Sequence, residues 1–312
     1  MKDTFRSSRV RFLKNSFLAA LSAALLLAAG RAAWAVTVAV TGDVADPDAG
    51  AVSDAVLAEP SVAAVLLVGD TYNGKRTPLS GYQKLYKGTF GRFLSKIHPS
   101  PGNHDGYADP PFSGYQAFWG AAAHGPEMYY SFDVDGWHIV SLDSVTFEKG
   151  GAAADAQLDW LKGDLAAHPK APTLVYWHYP LFSRARHLGD PRMKPFWDAI
   201  YAHGPALVMN GHNHVYERYA PMDPDGRTVA ETRGIREFVI SPGGAKPERR
   251  QSKEASGPPS KRFHGGASHV GFFVLERGGA YRYTIKAVTG KGAAEVVDSG
   301  AGDMLGGGTP QP

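Results

Sequence analysis

The chain has 312 residues, 43% hydrophobic and 20% charged, with no cysteine. The length suits one large globular domain, and the missing thiols exclude disulfides, thiolate metal sites, a cysteine nucleophile and a lipid-modified cysteine, so any metal must be held by nitrogen and oxygen. The formal charge of +3 argues nothing about nucleic acid, because six basic residues and one acid sit in the first 35 residues and the remainder carries 27 basic against 29 acidic side chains.

Residues 1–35 read as a cleavable signal peptide. Lys2, Arg6, Arg9, Arg11 and Lys14 make a basic start, and Phe17 to Ala29 is an apolar run too short for the roughly 20 residues of a membrane span. Ala33-Trp34-Ala35 fits a small-x-small cleavage site. Ser8 to Lys14 is similar to a twin-arginine signal, but Val10 separates its arginines, which leaves the export route open. The expected product is secreted or periplasmic, with no membrane anchor after cleavage.

Val36 to Thr41 is a buried first strand stopping at Gly42-Asp43, followed by a helix over Asp48 to Glu59. Val62 to Val68 is a second strand, again closing on Gly69-Asp70. Aromatic residues at near-helical spacing predict a helix over Tyr82 to Leu94, interrupted by Gly88 and Gly91, and Ile97 leads into the tight loop Pro99 to Asp105. Met128 to Val134 and Trp137 to Leu142 form a hairpin about Asp135-Gly136. Asp155 caps a helix running to about His168, Thr173 to Trp177 is a strand ending at His178, and Pro195 opens a helix closed by Gly204. Ala206 to Met209 delivers Asn210-Gly211-His212-Asn213-His214, where two histidines at i and i+2 face one point if the backbone is extended. Glu237 to Ser241, Val270 to Glu276 and Tyr281 to Val288 read as further, antiparallel strands. Residues 245–268 read as a flexible loop or lid, and residues 299–312 as a disordered tail, so the expected catalytic domain is 36–298.

Alternating strands and helices predict the α/β class, with ligands at the carboxyl ends of the strands. Those tips supply Asp43, Asp70, Asn103-His104-Asp105, His178, His212 and His214. Carboxylates, an amide and imidazoles suit two borderline or hard cations, the kind of pair that clamps both oxygens of an in-line displacement. Asp143-Ser144 lacks a positioned base, and His98, His124, His138, His168, His187, His203, His264 and His269 read first as surface, capping or core residues.

In order, Gly42-Asp43, Gly69-Asp70, Gly102-Asn103-His104-Asp105, the His178 strand end and Gly211-His212-Asn213-His214 resemble the calcineurin-like metallophosphoesterase superfamily. Val215-Tyr216-Glu217-Arg218 is similar to the purple acid phosphatase branch and its bacterial relatives, and Gly234 to Gly244 resembles the bacterial members. The resemblance implies a four-layer α/β/β/α sandwich of two mixed sheets flanked by helices. It implies that Asp43, Asp70 and His214 bind a first metal, and that Asp70, Asn103, His178 and His212 bind a second, with Asp70 the bridge. It also implies that a hydroxide held by the metals attacks phosphorus, with His104 stabilising the phosphoryl group or protonating the leaving group and Asp105 orienting His104. Two positions depart from the pattern. Ala45 stands where many members carry His, and Tyr72 comes two residues after Asp70 where the purple acid phosphatases place Tyr three after, a position held here by Asn73. Tyr72 is kept as a candidate ligand; the implied metals are iron with zinc, manganese or a second iron. Arg184, Arg186 and His187 are candidates for a substrate phosphate, with a solvated loop as the alternative for the two arginines. The expected substrate is a small phosphate monoester. The alternatives are a phosphodiesterase or nucleotidase, and a secreted binding protein that keeps the fold without turnover.

Overall fold

The computed structural model describes residues 35–290 and 294–306, so the expected leader lies, apart from Ala35, outside the described residues. Strands β1 (Ala35–Thr41), β2 (Val62–Val68), β3 (Ile97–Ser100), β11 (Ser268–Glu276), β12 (Ala280–Val288) and β13 (Ala294–Asp303) form one sheet in the order β13-β12-β11-β1-β2-β3. Strands β4 (Tyr130–Val134), β5 (Trp137–Ser141), β6 (Thr173–Tyr176), β7 (Ala206–Asn210), β8 (Tyr216–Met222), β9 (Ile235–Ile240) and β10 (Arg262–His264) form the other, ordered β10-β8-β9-β7-β6-β5-β4. The helices are α1 (Ala49–Leu57), α2 (Leu79–Tyr86), α3 (Ser113–Trp119), α4 (Ser144–Phe147), α5 (Ala152–Ala167) and α6 (Lys194–His203).

Period-two alternation explains the layering. Val38, Val40, Leu66 and Val68 of the first sheet share a buried cluster with Leu174, Tyr176, Leu207, Met209 and Phe238 of the second. The intervening Ala39, Val65, Leu67, Val175 and Val208 belong to a second cluster with the helical residues Val52, Tyr82, Leu161 and Phe196. Both faces of the central strands are therefore covered, which is why they read as continuous apolar runs. Each such leucine contributes about 2–5 kcal/mol judged by truncation to alanine. Parallel pairing of β1 with β2, β2 with β3, β5 with β6 and β6 with β7 brings the chain out at carboxyl ends that carry the strand-tip motifs.

Four elements differ from expectation. The helix expected over 82–94 stops at Tyr86; Gly88 has φ +80°, and a separate 3-10 turn follows over Phe90–Lys96. The helix assigned to an Asp155 cap starts earlier, at Ala152, with Asp155 in its first turn. β9 is antiparallel to β8 but parallel to β7. Residues 299–303 are not tail: they complete β13, paired to β12, and Met304 beyond them is buried. Residues 245–268 carry no helix and, besides the short β10 and the first residue of β11, no strand. No helix among the described residues is long and apolar enough to cross a membrane.

Candidate metal centre

The tips of β1, β2 and β3 contribute Asp43, Asp70 and Asn103, while those of β6 and β7 contribute His178, His212 and His214, so the cluster draws on both sheets. Asp43, Asp70 and His178 offer ligand atoms all within 4.8 Å of one another. His178 Nε2 lies 3.4 Å from Asp70 Oδ1 and 3.1 Å from Asn103 Oδ1, and its Nδ1 donates to the carbonyl of Val68 at 3.1 Å. His214 Nε2 lies 3.2 Å from Asp43 Oδ1, with its Nδ1 donating to the Lys246 carbonyl at 2.8 Å. Both rings thus have one nitrogen fixed by backbone and the other turned toward carboxylates, the arrangement that orients imidazole for a metal. The His212 amide donates to Asp43 Oδ2 at 2.9 Å, and its ring stands edge-on to His178 at 5.1 Å.

The backbone is bent to achieve this. Asp43, Asp70 and His212 have φ of +55°, +46° and +67°, at a cost of about 1–3 kcal/mol each for side chains other than glycine. Gly102 is required by proximity: a Cβ there would stand 2.1 Å from the Asp70 nitrogen and 2.2 Å from Asp70 Oδ1.

Asp43 and Asp70 are buried, and among the described residues neither has a Lys or Arg within ion-pair distance. Burial alone would raise the pKa of Asp43, but His214, His178 and a hydrogen bond from Ser241 Oγ hold it well below the usual carboxylate range. Burial lowers His178 and His214, yet Asp70 for the first and Asp43 for the second lift both to about 9. Burial and the neighbouring His178 push His212 well below its ordinary value. The buried carboxylates therefore call for positive charge beside them, and the two imidazoles each turn a nitrogen toward them. That donor set, oxygens and imidazoles without sulfur, fits two metal ions.

Tyr72 is not part of the cluster. Its ring meets Tyr82 edge-on at 5.3 Å and packs over Gly74 and Gly81. Asn73 enters instead, its Nδ2 3.1 Å from Asp70 Oδ2, 3.3 Å from Asp43 Oδ1 and 3.2 Å from His214 Nε2. Asp105 does not orient His104 either. Its fully buried carboxylate accepts from Thr71 N (3.0 Å), Thr71 Oγ1 (2.9 Å), Tyr72 N (3.1 Å), Gly102 N (2.8 Å) and the Tyr82 hydroxyl, riveting the Asp70 loop to the Asn103 loop. Burial and the charge of Asp70 push its pKa up to about 6 against the donors from Tyr82, Gly102 and Thr71. His104 is held by the Gly74 carbonyl, which accepts from Nδ1 at 2.8 Å, and its Nε2 lies 3.9 Å from Asp70 Oδ2.

Beside the cluster opens a cavity of about 720 Å³ whose lining includes Asn103 and His212 of the cluster, Tyr107 and Tyr179 in contact with them, and Lys149 and Arg192. His187 lines it, with its ring 4.9 Å from that of His212. Arg184 and Arg186 do not line it. The Arg184 guanidinium reaches the Gly257 carbonyl at 3.5 Å, while the backbone amides of Arg184 and Arg186 are tied to Glu217 and Glu248. Asn73, Ser241, Tyr107, Lys149 and Arg192 were not identified as site residues from the sequence. Ser241 follows a strand end, the signal that found the others; Lys149 lies in the turn after α4, and Arg192 in the 3-10 turn Pro191–Met193, where Asp190 holds its guanidinium, with no strand tip to mark either.

The model of the calcineurin-like phosphoesterase family matches residues 36–216. Purple acid phosphatase 18 of Arabidopsis thaliana is 30% identical over 151 residues, 42% of this chain and 34% of that protein, and purple acid phosphatase 15 of the same plant is 35% identical over 98 residues, 29% of this chain and 18% of that protein. The chain thus spans about a third or less of the length of these relatives. Among solved structures, purple acid phosphatase PPD1 from yellow lupin (Lupinus luteus) seeds superposes with a TM-score of 0.63 at 16% identity, covering 86% of this chain and 53% of that one. GAP50, described as the anchor in the inner membrane complex of Plasmodium, superposes at 0.62 with 14% identity, covering 86% and 89%. At these identities the two structures speak to the fold alone.

Proposed function

The chain belongs to the calcineurin-like phosphoesterase family, whose match covers more than half of it, and from that premise we propose an exported, metal-dependent hydrolase of phosphate esters that prefers monoesters. The observation that carries the reading is the pair of buried carboxylates, Asp43 and Asp70, met from the opposite sheet by His178, His212 and His214 with no Lys or Arg among their described ion-pair partners. Asp43, Asp70 and His214 would hold one cation, and Asp70, Asn103, His178 and His212 the other, with Asn73 beside the first. Bound there, the cations supply charge neutralisation to the transferring phosphoryl group and acidify water. The chain's own groups do the rest. With Nδ1 fixed on the Gly74 carbonyl, His104 presents Nε2 to the site and delivers a proton from that atom to the leaving oxygen. Asp105 contributes by keeping the two loops in register.

Export is supported by the leader pattern of residues 1–35. The cavity of about 720 Å³ leaves room for a second ester arm and favours diesters or nucleotides as the runner-up substrates. The test compares p-nitrophenyl phosphate with bis(p-nitrophenyl) phosphate on protein loaded with zinc, manganese or iron. Expected are faster turnover of the monoester, two ions per chain, and a loss of about 10²–10⁴ in kcat for His104→Ala with its metal content unchanged. A protein that binds one ion or none and hydrolyses neither ester is instead the non-catalytic binding protein.

A further inference from the structure

A second group of metal-ligating side chains lies away from the strand tips, where the β4–β5 hairpin meets α5. Asp133 on β4, His138 on β5 and His168 at the end of α5 each offer one ligand atom, and these atoms lie within 4.8 Å of one another. We propose that these three residues form a peripheral zinc site that ties the hairpin to the helix, independent of the phosphoesterase centre.

The orientation of the rings carries the argument. His138 is almost fully buried, and its Nε2 is 2.8 Å from Asp164 Oδ2, a carboxylate also held by Ser131 Oγ at 2.7 Å. In the neutral ring with its proton on Nε2, shared with that carboxylate, Nδ1 presents its lone pair toward Asp133 Oδ1 at 3.0 Å. Two acceptors at that separation repel unless a cation or a proton lies between them. His168 is fixed in the same sense: its Nδ1 donates to the Asp164 carbonyl at 2.7 Å, which leaves Nε2 as the free donor atom. Asp164 thus backs both imidazoles, through its side chain for one and its carbonyl for the other. Carboxylate or carbonyl support behind a ligating histidine fixes its tautomer and raises its basicity. Two imidazoles and one carboxylate, without sulfur, make a set that zinc accepts, with water in the fourth position. Asp133 is largely exposed, so an ion can enter. The rings of His138 and His168 lie face to face, 3.8 Å apart and 16° from parallel, so binding tilts the half-buried His168 while His138 stays anchored.

The experiment counts metal. Full-length protein is stripped with chelator, dialysed against zinc, and analysed by plasma emission beside Asp133→Asn and His168→Ala, with thermal unfolding of each followed with and without zinc. The wild type is expected to hold one zinc ion per chain more than either variant, and zinc is expected to raise its unfolding midpoint further. Asp133→Asn changes an exposed position and guards against a folding defect at His168. A count lowered by one in either folded variant supports the site. Equal counts in all three proteins, with equal shifts in midpoint, overturn it and leave a proton bridging His138 and Asp133. The count does not depend on whether any ester is turned over, so the two readings stand or fall separately.

Discussion

Asp105→Asn separates two roles that sequence alone confounds. In the structure Oδ1 accepts from Thr71 Oγ1, Tyr72 N and the Tyr82 hydroxyl, while Oδ2 accepts from Thr71 N and Gly102 N. An asparagine keeps one oxygen, so whichever way its amide turns at least two buried donors face an NH₂ group. Placing the nitrogen at the Oδ2 position strands two backbone N–H groups, at about 1–3 kcal/mol each; the neutral amide escapes the burial cost that lifts the carboxyl to about 6, so the net loss of stability expected at pH 7.5 is about 1–3 kcal/mol. The same change loosens Asp70 against Asn103, so metal affinity falls together with stability. Urea unfolding at pH 7.5, with and without metal, measures both. A variant within about 1 kcal/mol of wild type that loses only the proton-delivery limb of the pH–rate profile would return Asp105 to the role of orienting His104 and refute the loop-rivet account.

Three further outcomes follow from geometry already given. Gly102→Ala places a methyl where the Asp70 backbone stands 2.1 Å away, so it is expected to weaken metal binding, read by titration calorimetry; unchanged affinity would show that the loop gives way freely. Asn73→Ala lowers metal affinity about 10- to 100-fold, whereas Tyr72→Phe leaves it unchanged, and iron-loaded wild type shows no tyrosinate band in the visible spectrum; a band lost in Tyr72→Phe would contradict the packing of that ring. Burial raises Glu217 to about 7, although Ser183 Oγ and the Arg184 amide donate to it. The folded state therefore holds a proton that the unfolded chain has released, and stability falls as pH rises from about 4.5 to 7, by about 3 kcal/mol for this one group. Glu217→Gln removes that slope, so its stability relative to wild type improves between pH 5 and pH 8 in paired denaturation curves; parallel curves would refute it.

The strand tips were legible because their signal is local: an apolar run, a glycine, then a ligand type, as at Val68-Gly69-Asp70 and Asn210-Gly211-His212. The role that the resemblance implied for Asp105, orienting His104, is not the one its contacts give, because the chain hands the two side chains to different partners, one to Tyr82 and the other to Gly74. Of the two readings open for Arg184, the contacts favour the solvated loop: its guanidinium reaches the Gly257 carbonyl and its backbone amide is held by buried Glu217, contacts 73 and 33 residues away. The last five residues of β13, 299–303, read as tail on their glycines. Those glycines are what let it pair, since a Cβ at Gly300 or Gly302 would stand 2.6 Å from the Tyr283 hydroxyl or 2.5 Å from the Tyr281 hydroxyl across the strand.

Because Asp43, Asp70 and Asn103 hang from one sheet and the three histidines from the other, cations bound among them would act as a staple across the seam of the sandwich. Parting the layers would then require releasing the ions, and would free Asp43, Asp70 and His212 from a left-handed backbone that costs energy. Metal occupancy and closure of the two layers become one equilibrium, so chelation is expected to open the protein from its catalytic edge rather than from its helices.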